Sequence, residues 1–175
     1  MPKKACTERS RDGYTLIELL VVLTIMAVLS IVVFINFKTF SQDQAVNKAV
    51  GQVQSALRLA QSNAGSGVTC AGVGGAKWSA KLNTNATDIL CDKSTSVQKN
   101  FTLENVTISS IKCSTGGNLT LPITISYSSI YGNVDFGSDG CLGNTQTLVI
   151  TLSNSQNSSS TKTFTISKGG AIDVF

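Results

Sequence analysis

The sequence contains no histidine. A Ser-His-Asp or Cys-His nucleophile, an HExxH zinc site, a Cys2His2 finger and a histidine general base are therefore excluded within the chain. Catalysis would have to rest on carboxylates, lysines or cysteines, and no convergent acid–base pair stands out. The expectation is a chain that is not an enzyme and needs no cofactor or resident metal. Charge is also scarce: Asp, Glu, Lys and Arg make up 14% of the 175 residues, against about 25% in ordinary soluble domains. Ser, Thr, Asn and Gly take the polar positions instead, a hydrophilic but non-ionic surface of the kind exported proteins often carry. Proline occurs only at Pro2 and Pro122, so a helix lying between them meets no proline break.

What the chain does have is one long apolar run. Residues 19–37, LLVVLTIMAVLSIVVFINF, carry no charge and are flanked by Glu18 and Lys38. As a helix they span about 28 Å, close to the roughly 30 Å hydrocarbon core of a bilayer. Ahead of them Lys3, Lys4, Arg9 and Arg11 outweigh Glu8 and Asp12, which keeps the amino end cytoplasmic and sends the remainder outside. The run is longer than a secretory signal core, and Val32, Val33 and Phe34 stand where a small-x-small cleavage site would fall. A lipoprotein signal needs a cysteine just after the run, and the first one downstream is Cys70.

A plain anchor does not account for Glu18. A carboxylate in a bilayer costs about 2.5 to 3.5 kcal/mol on insertion scales and so marks a functional position. The segment reads Arg11-Asp12-Gly13-Tyr14-Thr15-Leu16-Ile17-Glu18-Leu19-Leu20-Val21. It resembles the class III signal of type IV prepilins and type II secretion pseudopilins, G-F-T-L-x-E before an apolar helix, with Tyr14 in place of the commoner phenylalanine. The resemblance covers about 25 residues. It implies that a prepilin peptidase cuts after Gly13 on the cytoplasmic side and that the new amino group of Tyr14 is N-methylated. It also implies that Glu18 pairs with the amino-terminal cation of a neighbouring subunit during assembly. Physical chemistry points the same way, because a carboxylate entering an apolar filament core needs a cation or a proton, and an α-amino group is the cation available at that depth.

Beyond Lys38 the apolar residues Val46, Ala49, Val50, Val53, Ala56, Leu57 and Ala60 recur at steps of three and four, with Gln42, Asp43, Lys48, Gln52, Gln54 and Arg58 between them. One continuous helix from about Tyr14 to Ser62 is predicted, stopped by Gly65-Ser66-Gly67. Residues 63–100 show weak periodicity and read as loop with one or two short strands. From Phe101 the period becomes two: Leu119, Leu121, Ile123, Ile125 and Tyr127, then Leu148, Ile150 and Leu152, then Phe164 and Ile166. Residues 154–160 form a polar loop, and Gly169-Gly170 leads into a last strand near Ile172. The predicted fold class is α+β, a long amino-terminal helix packed on an antiparallel sheet, which is also the pilin architecture. The expected divisions are a cleaved leader 1–13, a membrane or filament-core segment 14–37, and an exported head 38–175. Leu57-Arg58-Leu59-Ala60-Gln61-Ser62-Asn63-Ala64 with Val68-Thr69-Cys70, and Thr163-Phe164-Thr165-Ile166-Ser167-Lys168-Gly169-Gly170-Ala171-Ile172, are similar to the GspH/FimT type of minor pseudopilin and minor pilin.

Cys6 lies in the leader, whereas Cys70, Cys91, Cys113 and Cys141 lie in the exported head, where oxidation is permitted. Without a CxxC element a tetrahedral zinc site is not expected, and two disulfides are. Four cysteines allow three pairings; neighbouring pairs, Cys70 with Cys91 and Cys113 with Cys141, close the shortest loops. Asp135 and Asp139 in NVDFGSDGC read as a solvated turn, since the glycine is misplaced for an EF-hand and no bidentate Glu follows. Lys77, Lys81, Lys93, Lys99 and Lys112 are diluted by Asp88, Asp92 and Glu104, and Arg58 is the sole arginine after the leader, so nucleic acid is not an expected partner. The resemblance implies instead a structural subunit of a type IV pilus or type II secretion pseudopilus, held in the inner membrane before assembly. Its partners would be the peptidase, membrane lipid, the inner-membrane assembly platform and other pilin subunits. The alternative is the same scaffold displaying a head that captures DNA or a surface ligand.

Overall fold

The computed structural model describes residues 14–72, 77–92, 96–114, 117–128, 134–136 and 147–175, without side-chain placement at 32–36. The chain divides after Lys38 into two compact units.

In the first unit the helix α1 (Leu16–Gly65) begins. Its large side chains from Leu16 to Ile31 are exposed on every side, as the unbroken apolar run requires: with no polar face, no side of this helix is designed for water. The two hydroxyls among residues 19–31 turn back on the helix, Thr24 Oγ1 donating to the Val21 carbonyl (2.8 Å) and Ser30 Oγ to the Met26 carbonyl (2.7 Å).

In the second unit α1 becomes amphipathic and packs. Val46, Ala49, Val50, Val53, Ala56, Leu57, Ala60 and Ala64 are buried on one stripe, the three–four spacing seen in the sequence. The helix stops in a Schellman arrangement. Gly67 takes φ +64°, its N–H reaches the Ala64 carbonyl (3.3 Å), and the Val68 N–H reaches the Asn63 carbonyl (3.0 Å).

The rest of this unit is two antiparallel five-stranded sheets. The first comprises β1 (Trp78–Leu82), β2 (Ala86–Cys91), β3 (Lys99–Thr102), β6 (Ile123–Tyr127) and β7 (Val134–Asp135), in the order β3-β2-β1-β6-β7. The second comprises β4 (Val106–Cys113), β5 (Asn118–Leu119), β8 (Thr147–Asn154), β9 (Thr161–Ser167) and β10 (Ile172–Val174), in the order β10-β9-β8-β4-β5. Residues 63–100, expected to be mainly loop, supply the centre of the first sheet. Trp78, Ala80 and Leu82 of β1 pair with Cys91, Ile89 and Thr87 on one side and with Tyr127, Ile125 and Ile123 on the other. The reason is that β1 is buried at four of its five positions, so it lacks the apolar–polar alternation that marks a half-solvated strand. The single sheet of the sequence reading is likewise two.

The β8–β9 pairing behaves as its alternation demands. Leu148, Ile150 and Leu152 face Ile166, Phe164 and Lys162 in register, and all of these except Lys162 join one core with the helix stripe. The opposite face of this pair is Thr147, Val149, Thr151 and Ser153 against Ser167, Thr165, Thr163 and Thr161.

Candidate functional site

The candidate site is the start of α1, where the motif residues sit. Gly13 and the twelve residues before it lie outside the described residues. Tyr14 is 83% exposed and lies ahead of the helix. Thr15 is the cap: its Oγ1 accepts from the Glu18 N–H (3.3 Å) and its carbonyl from the Leu19 N–H (3.2 Å). This uses one of the donors that every helix start leaves free. Glu18 is therefore the third residue of the helix, an acid in the first turn, where the aligned peptide dipoles favour negative charge. The spacing Thr-x-x-Glu is the sequence signature of a capping box, here embedded in the signal motif. It sets the first helical turn immediately after Thr15.

Among the described residues, which leave out the side chains of 32–36, no helix is long and apolar enough to cross a membrane. Among the described residues there is also no group of three or more Cys, Asp or Glu placed to hold a metal.

The cysteines are settled in part. Cys70, just past the helix stop, is bonded to Cys91, the last residue of β2, with Cα atoms 6.4 Å apart, a normal separation for a bridge. Cys113 is also disulfide-bonded, and Cys141 lies outside the described residues. Trp78 Nε1 donates to the Val68 carbonyl (3.2 Å), a second tie between the helix-end loop and the first sheet.

The remaining polar residues singled out in the sequence are dispersed. Asp135 lies in β7, whereas Asp139 and Lys93 lie outside the described residues. Lys81 pairs in register with Asp88, Lys99 lies 4.9 Å from the centre of the Phe101 ring on the edge strand β3, and Lys112 is on the other sheet. Asp88 is engaged from two sides, accepting from Asn83 Nδ2 (2.7 Å) and Asn100 Nδ2 (2.5 Å).

Residues 9–34 match the family model described as the prokaryotic N-terminal methylation motif. The crystal structure of the type IV minor pilin FimU of Pseudomonas aeruginosa is similar in fold, with TM-score 0.50 and 13% identity over 78% of this chain and 92% of that one. A second crystal form of FimU aligns with TM-score 0.47 and 13% identity over 74% of this chain and 91% of that one. No curated protein matches the sequence.

Proposed function

We propose that this chain, which carries the amino-terminal methylation motif of type IV pilins and a head of the minor-pilin fold, is a minor subunit of a type IV pilus or a type II secretion pseudopilus. The motif and the fold together support the type IV minor pilin and pseudopilin superfamily. The finer steps are our reading of the amino end. Prepilin peptidase removes residues 1–13, Tyr14 becomes the N-methylated first residue, and residues 14–37 hold the subunit in the inner membrane with the head outside the cytoplasm. The assembly platform then transfers it to a filament of pilin subunits through α1. The observation that carries this reading is the cap at Thr15. The motif's cleavage point falls two residues before a helix whose first part is apolar on all sides, and the carboxylate of Glu18 sits in that helix's first turn.

Glu18 then works by charge pairing. Moved into an apolar filament interior, its carboxylate requires a cation, and the free amino group of a neighbouring Tyr14 supplies one at the same depth. The subunit contributes packing and charge pairing, with no reaction of its own. Ten bases and eight acids remain after residue 13, so the processed chain is nearly neutral.

The test is the mass and amino-terminal sequence of the chain made with prepilin peptidase, alongside Gly13→Leu. Wild type should begin at a methylated Tyr14 and the variant should keep its leader. A wild-type chain that stays full length overturns the reading.

A further inference from the structure

The second unit holds the start of its helix segment by polar groups and, at Ala45 alone among residues 39–45, by a partly buried apolar contact with the core. Across residues 39–45 no side chain is buried: Gln42 and Ala45 are half-buried, the rest are exposed, Phe40 to 60%, and Val46 is the first buried position. At this point the loop between β8 and β9 reaches the helix. Asn157 Nδ2 donates to Gln42 Oε1 (2.8 Å) and Ser160 Oγ donates to Asp43 Oδ1 (2.5 Å). One turn further on, Lys48 Nζ meets Glu104 Oε2 of the β3–β4 loop at 3.0 Å, an exposed pair that contributes little.

The loop side of this collar is built independently of the helix. Asn154, 4% exposed, accepts the N–H groups of Gln156 and Asn157 on its Oδ1. Its own N–H goes to the Ser160 carbonyl, and the Ser155 N–H goes to the Asn105 carbonyl of the β3–β4 loop (2.9 Å). The loop is thus tied into the sheet whether or not the helix touches it.

We propose that the collar is a release point, at which residues 39–45 of α1 come away from the head as a unit of their own while the stripe from Val46 onward stays packed. Water can replace the two hydrogen bonds from the loop, and Ala45 gives up only a partly buried methyl group, so opening there loses little. Opening beyond Val46 would expose apolar surface at every turn. The released turn has no tertiary support and its backbone hydrogen bonds open in turn. For a subunit that passes between two surroundings, such a release lets the helix ahead of Val46 reorient without disturbing the core.

Amide hydrogen exchange followed by mass spectrometry on the full chain in detergent micelles tests this. In wild type, peptides covering residues 39–45 should exchange at least about tenfold faster than those covering 53–60. In Asn157→Ala/Ser160→Ala the first group should speed up by about tenfold or more, with 53–60 unchanged. Equal rates for the two segments in wild type, no change in the variant, or a rise in both segments together would each overturn the proposal.

Discussion

The side-chain amide of Gln61 occupies the space where a Cβ on Gly170 would stand, and Gly170 itself has φ +82°. The backbone angle at this turn favours glycine, and a Cβ there would have to displace the flexible end of Gln61. Gly170→Ala should destabilise the protein by about 1 to 3 kcal/mol, read as a lower urea midpoint. Gln61→Ala added to it should restore part of that loss, the steric share, and leave the share due to φ. Strict additivity of the two substitutions would show that they do not meet.

The bridge between Cys70 and Cys91 fastens the loop beyond the helix to the end of β2. It closes a loop of about twenty residues, for which chain entropy gives on the order of 3 kcal/mol. Cys70→Ser/Cys91→Ser should lower the urea midpoint accordingly. The paired replacement isolates this bridge, whereas a reductant would also act on Cys113.

Thr87 Oγ1 and Tyr127 Oη are buried with no hydrogen-bond partner among the described residues. Each carries a desolvation cost that nothing offsets, so Thr87→Val, nearly isosteric and suited to a strand, should be neutral or stabilise by up to about 1 kcal/mol.

Burial pushes the Tyr127 hydroxyl up from its ordinary value of 10.0. The folded state therefore keeps a proton that the unfolded chain releases, and its contribution to stability is complete below about pH 10 and lost as pH rises further. Tyr127→Phe has no such proton. Denaturation of the two proteins between pH 8 and 11 should show wild type losing stability relative to the variant only above about pH 10.

At the amino end two substitutions separate capping from assembly. Thr15→Ala removes the bond to the Glu18 N–H and should cost the first turn about 1 kcal/mol, seen as faster amide exchange at Glu18 and Leu19. Glu18→Ala should leave processing at Gly13 intact, as judged by mass, while impairing incorporation into filaments. Normal incorporation would remove the charge-pairing role.

The helical part of the protein was legible in the sequence because helix signals are local. The apolar steps from Val46 to Ala60 needed only three or four residues of context to place a face, and the predicted end at Ser62 lies three residues before the observed end at Gly65. The strands β8, β9 and β10, the loop 154–160 and the Gly169-Gly170 turn were equally visible, each carrying its own alternation or turn residues. The central strand β1 was hidden, because a strand buried on both faces shows no alternation.

The sequence alone determined the amino-terminal motif, the unbroken apolar run, the near-neutral charge after residue 13 and the α+β class. Only the tertiary structure decided that the strands divide into two sheets, that Cys70 meets Cys91, that Gly170 lies against the Gln61 amide, and that Asn157 and Ser160 meet Gln42 and Asp43. Each of these contacts joins residues at least about twenty positions apart. Their partners are chosen by the packing of the whole core, which no short window of sequence contains.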